Sequence, residues 1–300
     1  MGAWYNIHMN KKLLWAGLLG LASVVVGLVP SVMPVPTQAD IWPRAVGLAR
    51  MALLIIAYAL MARSDVKGAR WISVVMAFAV LSVALSTGKL IGLSSVPRWF
   101  SPIFGSVDRV ASLAVWFSLV RLNAGRLRTV FVAQGAAAVI GFALSIVFYA
   151  QSVSQGGLLQ TSWQIYALRF AGLLAMLLAY FGWLYLVYAA QPEDARSPSE
   201  PRPVAWFWRV FLVTLPLVLL LGLGQKDWPL FLLIIPIGVT FGFGGPLVGA
   251  IVGWGAYLVL AIFILHARRL SSLLSLLGVF VLLVLLNIAG CGAMIGGSWN

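Results

Sequence analysis

Ten stretches of this chain run almost wholly in apolar residues, each close to the roughly 20 residues that a helix needs to cross a bilayer's hydrocarbon. They fall at residues 13–33, 45–62, 71–93, 103–121, 129–150, 165–190, 204–223, 228–243, 246–266 and 271–290. A chain patterned in this way has few folds open to it. Only 9% of its residues are charged and 62% are hydrophobic, whereas about 25% of a soluble domain is charged. Runs such as Leu277 to Leu286 do not alternate, which excludes the short dyad-patterned strands of a membrane β-barrel. The expected fold is all-α, a polytopic transmembrane helix bundle of about ten spans.

Basic residues orient it. Lys11 and Lys12 precede the first apolar stretch, which is too long for the core of a secretory signal and lacks a small-x-small cleavage site. It is read as a retained first helix. The segment 63–70 carries Arg63, Lys67 and Arg70 against Asp65, and the segment 121–128 carries Arg121, Arg126 and Arg128. Short basic loops stay in the cytoplasm, so both are expected inside, with the N-terminus. Residues 191–203, rich in Pro, Ser, Glu and Arg, form the longest polar linker and fall inside too. They divide the chain into a six-span part, 1–190, and a four-span part, 204–300. The implied setting is a cell membrane, on this pattern a bacterial inner membrane. Trp42, Trp99, Trp163 and Trp228 would then mark the outer interface, and Trp15, Trp71, Trp206 and Trp208 the inner one.

The span count turns on residues 228–269. If 228–243 and 246–266 both cross, His266, Arg268 and Arg269 lie outside, against the positive-inside rule. If 228–243 is re-entrant, those residues lie inside and nine spans remain. A recurring motif favours ten. Arginine, an apolar residue, a small one, any residue and leucine occur in that order at Arg50, Arg109, Arg169 and Arg269. The first three arginines are 59 and 60 residues apart and fall at outer helix ends. That spacing points to tandem two-helix hairpins, 13–62, 71–121 and 129–190, with a cation at an equivalent place in each.

These arginines break two rules together. A cation at a helix N-terminus is opposed by the macrodipole, and positive charge is scarce on the outer face. Twelve residues separate Arg50 from Arg63 and eleven separate Arg109 from Arg121, too few to cross. The helices must begin earlier, near Arg44 and Pro102, which sets both arginines about 9 to 10 Å along the helix at a rise of 1.5 Å per residue. Arginine keeps its proton, so it must snorkel to lipid phosphate, pair with an acid or meet an anionic ligand. Guanidinium forks beside helix N-terminal amides suit phosphate or carboxylate. Asp108 is the candidate acid; adjacent on the same helix it is not expected to face Arg109, which leaves Lys89, Arg50 or Arg169 as partner, or else a first-turn acid on the helix dipole. Lys89, in Ser86-Thr87-Gly88-Lys89, lacks the upstream glycine of a phosphate loop and reads as an interface anchor or a ligand contact.

Gly245, Gly249 and Gly253 make overlapping GxxxG patterns, where two helix backbones can approach closely. The stretch from Pro236 to Pro246 could instead break a helix at a substrate site. Gln134, Gln151 and Asn287 are expected to hydrogen-bond between helices. Hydrolytic and redox chemistry find little support. Seven acids yield no carboxylate pair near a span, and neither Cys291 nor His8 and His266 completes a nucleophilic set or a metal cluster. No cofactor or metal is expected. Nor is nucleic acid, because the net charge of +13 flanks membrane spans, where it meets lipid headgroups. Three functions compete. The first is a transporter or flippase for an anionic solute or lipid-linked intermediate, bound by Arg50, Arg109 and Arg169 with Lys89 and Asp108. The second is a non-catalytic subunit or scaffold that binds partner membrane proteins. The third is a membrane enzyme transferring lipid-linked groups, for which no base is visible.

Overall fold

A computed structural model describes residues 10–32, 42–90, 100–153, 162–191, 205–223 and 255–282. Every regular element among them is helical. The chain separates into two compact units, residues 1–194 and 195–300.

The first unit holds α1 (Lys11–Val32), α2 (Trp42–Ala62), α3 (Ile72–Leu90), α4 (Phe100–Leu122), α5 (Gly125–Val153) and α6 (Ser162–Ala189). Each helix packs on its neighbours in sequence, and α6 packs back on α1, so the six close into a ring in chain order. Contacts along the seams make every neighbouring pair antiparallel. Lys12, at the start of α1, donates from Nζ to the carbonyl of Arg63, just beyond α2, while Gly27 near the end of α1 meets Arg50 near the start of α2. Asn10 donates its backbone N–H to Ala190 at the end of α6. Arg126 stacks over Tyr188, 4.4 Å from the ring centroid, joining the start of α5 to the end of α6.

These contacts gather one set of turns at one end of the ring. Gly68 takes a left-handed φ of 77° in the α2–α3 turn, and a 3-10 turn, Ala69–Trp71, leads into α3. Asn123 donates from Nδ2 to the carbonyls of Lys67 and Leu119, tying this turn to the α4–α5 turn. The side chain of Asn10 accepts from the backbone of Leu13 and caps α1. Lys11, Lys12, Arg63, Lys67, Arg70, Arg121, Arg126 and Arg128 therefore share this basic end.

The ring is apolar outside as well as inside, unlike a soluble bundle. Large apolar side chains are exposed on every helix, among them Trp15, Ile56, Val80, Phe117, Ile146 and Phe170, while Ser23 and Gln134 are buried. In water such a surface would be a continuous apolar patch; lipid accepts it at no cost. Four helices are long and apolar enough to cross a membrane, over Lys11–Leu28, Ala45–Ala62, Gly125–Val147 and Ala167–Ala189. The described residues thus support a helical bundle with four such helices rather than a count of ten. Helix α4 is 23 residues long, but Asp108 and Arg109 dilute its apolar run.

The second unit contains α7 (Trp206–Leu223), with α8 over Gly255–His266 and α9 over Leu270–Leu282. Leu260, Ile264, Ala267 and Leu273 form its core, with Leu212, Val213, Leu276 and Phe280 packed against them. Arg209 donates from Nη1 to the carbonyl of Leu265 at 2.6 Å. The Tyr257 hydroxyl donates to the carbonyl of Val213. Low numbers on α7 meet high numbers on α8, so these two helices are antiparallel. His266, Arg268 and Arg269 stand at the end where α7 begins. Gly245, Gly249 and Gly253 lie outside the described residues.

Candidate functional site

The centre of the first unit is aromatic. Tyr58 on α2 lies 6.2 Å from Trp116 on α4 and 5.9 Å from Trp183 on α6, measured between ring centroids. Three alternate helices of the ring thus meet in one layer. Trp116 also stacks on Phe131 of α5, 6.2 Å away. Trp183 is seated against α1 at Gly20, where a Cβ would come 2.1 Å from its indole. Gln134 donates to the carbonyl of Ala179 at 3.3 Å and fills the notch left by Gly182. Its expected interhelical bond is present.

Arg50 and Arg109 stand to one side of this layer, toward the end opposite the basic turns. Arg50 precedes Tyr58 by eight residues and Arg109 precedes Trp116 by seven. At 1.5 Å per residue both lie about 10 to 12 Å from the aromatic layer. Arg169 precedes Trp183 by fourteen residues, about 21 Å on the same measure. The expectation of three equivalent arginines is therefore met by two. Arg169, exposed as Arg50 also is, stands about two turns farther out, because α6 continues for 20 residues beyond it whereas α2 and α4 continue for 12 and 13 beyond Arg50 and Arg109.

Both inner arginines use the same device, a glycine on the next helix. The side chain of Arg50 lies across Gly27 of α1, where a Cβ would come 3.0 Å from Cδ and 3.1 Å from Nε. Arg109 reaches α5 and donates from Nη1 to the carbonyl of Gly141 at 2.6 Å. A Cβ at Gly141 would stand 3.4 Å from the same nitrogen. A bare backbone lets a guanidinium lie close to peptide carbonyls, which partly replace the water it loses. Gly27 and Gly141 had no signal in the sequence. Neither falls in a GxxxG pattern, and only the helix pairing shows what each one faces.

Asp108 has neighbours other than those expected. Ser112, one turn along α4, donates a hydrogen bond to its carboxylate, and the charge of Arg109 acts on it directly. Adjacency on the helix does not keep the two charges from acting on each other through space. Tyr58 lies within electrostatic reach of both Arg50 and Asp108. Asp108, Arg109 and Ser112 thus form one polar group on α4, and Tyr58, within the aromatic layer, feels the charges of both Arg50 and Asp108. Lys89 is in the last turn of α3, and its side chain lies outside the described residues.

Chemically this end of the bundle carries the guanidinium groups of Arg50 and Arg109 against the carboxylate of Asp108, an excess of positive charge. Each guanidinium has five N–H donors in a planar fork, so the one bond from Arg109 to Gly141 engages part of its capacity. Among the described residues, no group of three His, Cys, Asp or Glu side chains could hold a metal ion. The chain matches no protein-family model, no curated protein and no solved structure.

Proposed function

We propose that this chain is a polytopic protein of the bacterial inner membrane, with its N-terminus in the cytoplasm, that transports or flips an anionic solute or lipid-linked intermediate. The observation that carries the reading is the placement of Arg50 and Arg109, each laid on a glycine of the next helix toward the same end of a bundle that is otherwise apolar outside. A guanidinium below the interface costs about 2.5 to 3.5 kcal/mol on insertion scales unless water, an acid or an anion relieves it. One half-buried carboxylate offsets one of the two. An anion over the forks would offset the other, with Arg169 farther out along its approach and Lys89 at the rim.

The basic end faces the cytoplasm, because it collects eight Lys and Arg residues in short turns. Helix α6 ends there, and the polar residues 191–203 cannot cross, so α7 also starts inside. Since α8 runs antiparallel to α7, it ends inside as well, with His266, Arg268 and Arg269. Residues 228–243 lie outside the described residues, and on this pairing the nine-span alternative is preferred to ten. The fourth arginine motif, at Arg269, thereby lies on the opposite side from the other three.

A scaffold role draws support from the Arg109 to Gly141 bond, which gives that cation a structural task. The two readings separate in one experiment. Purified protein in lipid vesicles is tested for binding and passage of radiolabelled inorganic phosphate and of a fluorescent polyprenyl phosphate. We expect one of these anions to bind, and Arg50→Gln and Arg109→Gln to weaken binding at least tenfold without lowering the yield of inserted protein. Equal behaviour of wild type and both variants toward both anions would leave the scaffold as the better account.

A further inference from the structure

The cytoplasmic end of the α1–α2 seam has the chemistry of a lipid site, independent of the arginines near the outer end. Helix α1 turns one continuous stripe outward. Lys11, Trp15, Leu18 and Val25 are all exposed, while Leu13, Ala16, Val24 and Leu28 on its other face are buried. The spacing of the exposed set is four, three and seven residues, one face of a helix. From the basic end it reads as a cation, an indole and then aliphatic side chains. Headgroup, glycerol region and acyl chain of a phospholipid follow one another in that order.

The cation end of the stripe is more than a lone lysine. Lys12 is held by its bond to the backbone carbonyl of Arg63 at 2.8 Å, which sets Arg63 beside the first turn of α1, where Lys11 and Lys12 are both exposed, as Arg63 is. Two of the three lie in the first turn of α1, where the helix dipole adds positive potential instead of relieving it. Asp65 is the one acid in the adjoining turn, against Lys67 and Arg70 as well. Like charges gathered in this way are stabilised by an anion, and the phosphate of a lipid arrives at the depth where Trp15 anchors.

We infer that Lys11, Lys12 and Arg63, with Trp15 and the Leu18 and Val25 stripe below them, bind the phosphate and one acyl chain of an anionic phospholipid of the cytoplasmic leaflet. The site selects on headgroup charge. A zwitterionic lipid presents an ammonium to the same cluster and is held less well.

The full chain, purified in mild detergent, is mixed with equal amounts of dioleoyl phosphatidylglycerol and dioleoyl phosphatidylcholine, and retained lipid is counted by native mass spectrometry. We expect phosphatidylglycerol to be retained in at least tenfold preference. The K11Q/K12Q/R63Q variant should lose that preference, while R50Q and R109Q keep it. Added salt at 0.5 M, on the order used to screen surface charge, should weaken retention by wild type, which tests the site even if the triple variant folds poorly. Equal retention of the two lipids, a triple variant that behaves as wild type, or retention indifferent to salt would each overturn the inference. A loss of preference in R50Q or R109Q would place the lipid at the outer arginines and overturn it too. Failure of the phosphate test above leaves this outcome unaffected, because the two sites share no residue.

Discussion

Trp183 reaches the aromatic layer only because α1 presents no side chain at Gly20. A methyl group there would stand 2.1 Å from the indole, and an indole ring cannot swing away as a flexible chain end can. Gly20→Ala should therefore cost about 1 to 3 kcal/mol, the usual range for overpacking. Thermal unfolding of the detergent-solubilised protein measures it. Trp183→Phe should relieve part of the cost in the double variant, because residues in contact couple and distant ones do not. Additive effects would show that the two do not touch. Gly27 makes a related prediction for the outer arginines. Gly27→Leu should displace the Arg50 side chain, and with it weaken phosphate binding about as much as Arg50→Gln does, although every arginine remains in place. Phosphate titration against both variants checks this, and undiminished binding by Gly27→Leu would show that the position of Arg50 is immaterial.

At the scale of elements, the decisive relation is between α7 and α8. Thr214 and Pro216 lie within α7, yet the helix runs unbroken from Trp206 to Leu223. The Thr214 hydroxyl donates to the carbonyl of Val210 at 2.7 Å, one turn back on the same helix. The Tyr257 hydroxyl then fixes the register of α8 at Val213. With Cys291 changed to Ser, Val213→Cys and Tyr257→Cys should form a disulfide on mild oxidation, and Val213→Cys with Leu265→Cys should not. About two turns of helix, roughly 12 Å, separate residue 257 from 265, well beyond the reach of a disulfide. The reverse outcome would make the helices parallel and favour ten spans over nine.

For the molecule as a whole, the ring closure and the charge distribution make one statement about sidedness. Single cysteines introduced at Asp65, Ala124 and Arg268, in the chain carrying Cys291→Ser, should be labelled by a membrane-impermeant maleimide only from the cytoplasmic face. External labelling of residue 268 would support ten crossings, and external labelling of residue 65 would invert the orientation. The three hairpins enter the same argument. The ring places α1–α2, α3–α4 and α5–α6 side by side around one aromatic layer, an arrangement that a tandem repeat would produce. Even so, Arg169 stands about two turns out of step with Arg50 and Arg109. Equal spacing in sequence did not become equal depth, because helix and loop lengths differ from hairpin to hairpin.

Class of fold and charge asymmetry were already written in the order of residues. Apolar runs of membrane length can satisfy their backbone only as helix, and Lys and Arg gather in the short turns of one side. Those properties are local and survive any arrangement of neighbours, which is why they could be read without coordinates. Partnerships could not. That Arg50 lies on Gly27, Arg109 on Gly141 and Trp183 on Gly20 depends on which helix stands beside which and at what register. Glycine shows nothing of its partner in sequence, since its contribution is an absent side chain. The direction of α8 is of the same kind. It is set against α7 by a hydrogen bond from Arg209 to Leu265, 56 residues apart.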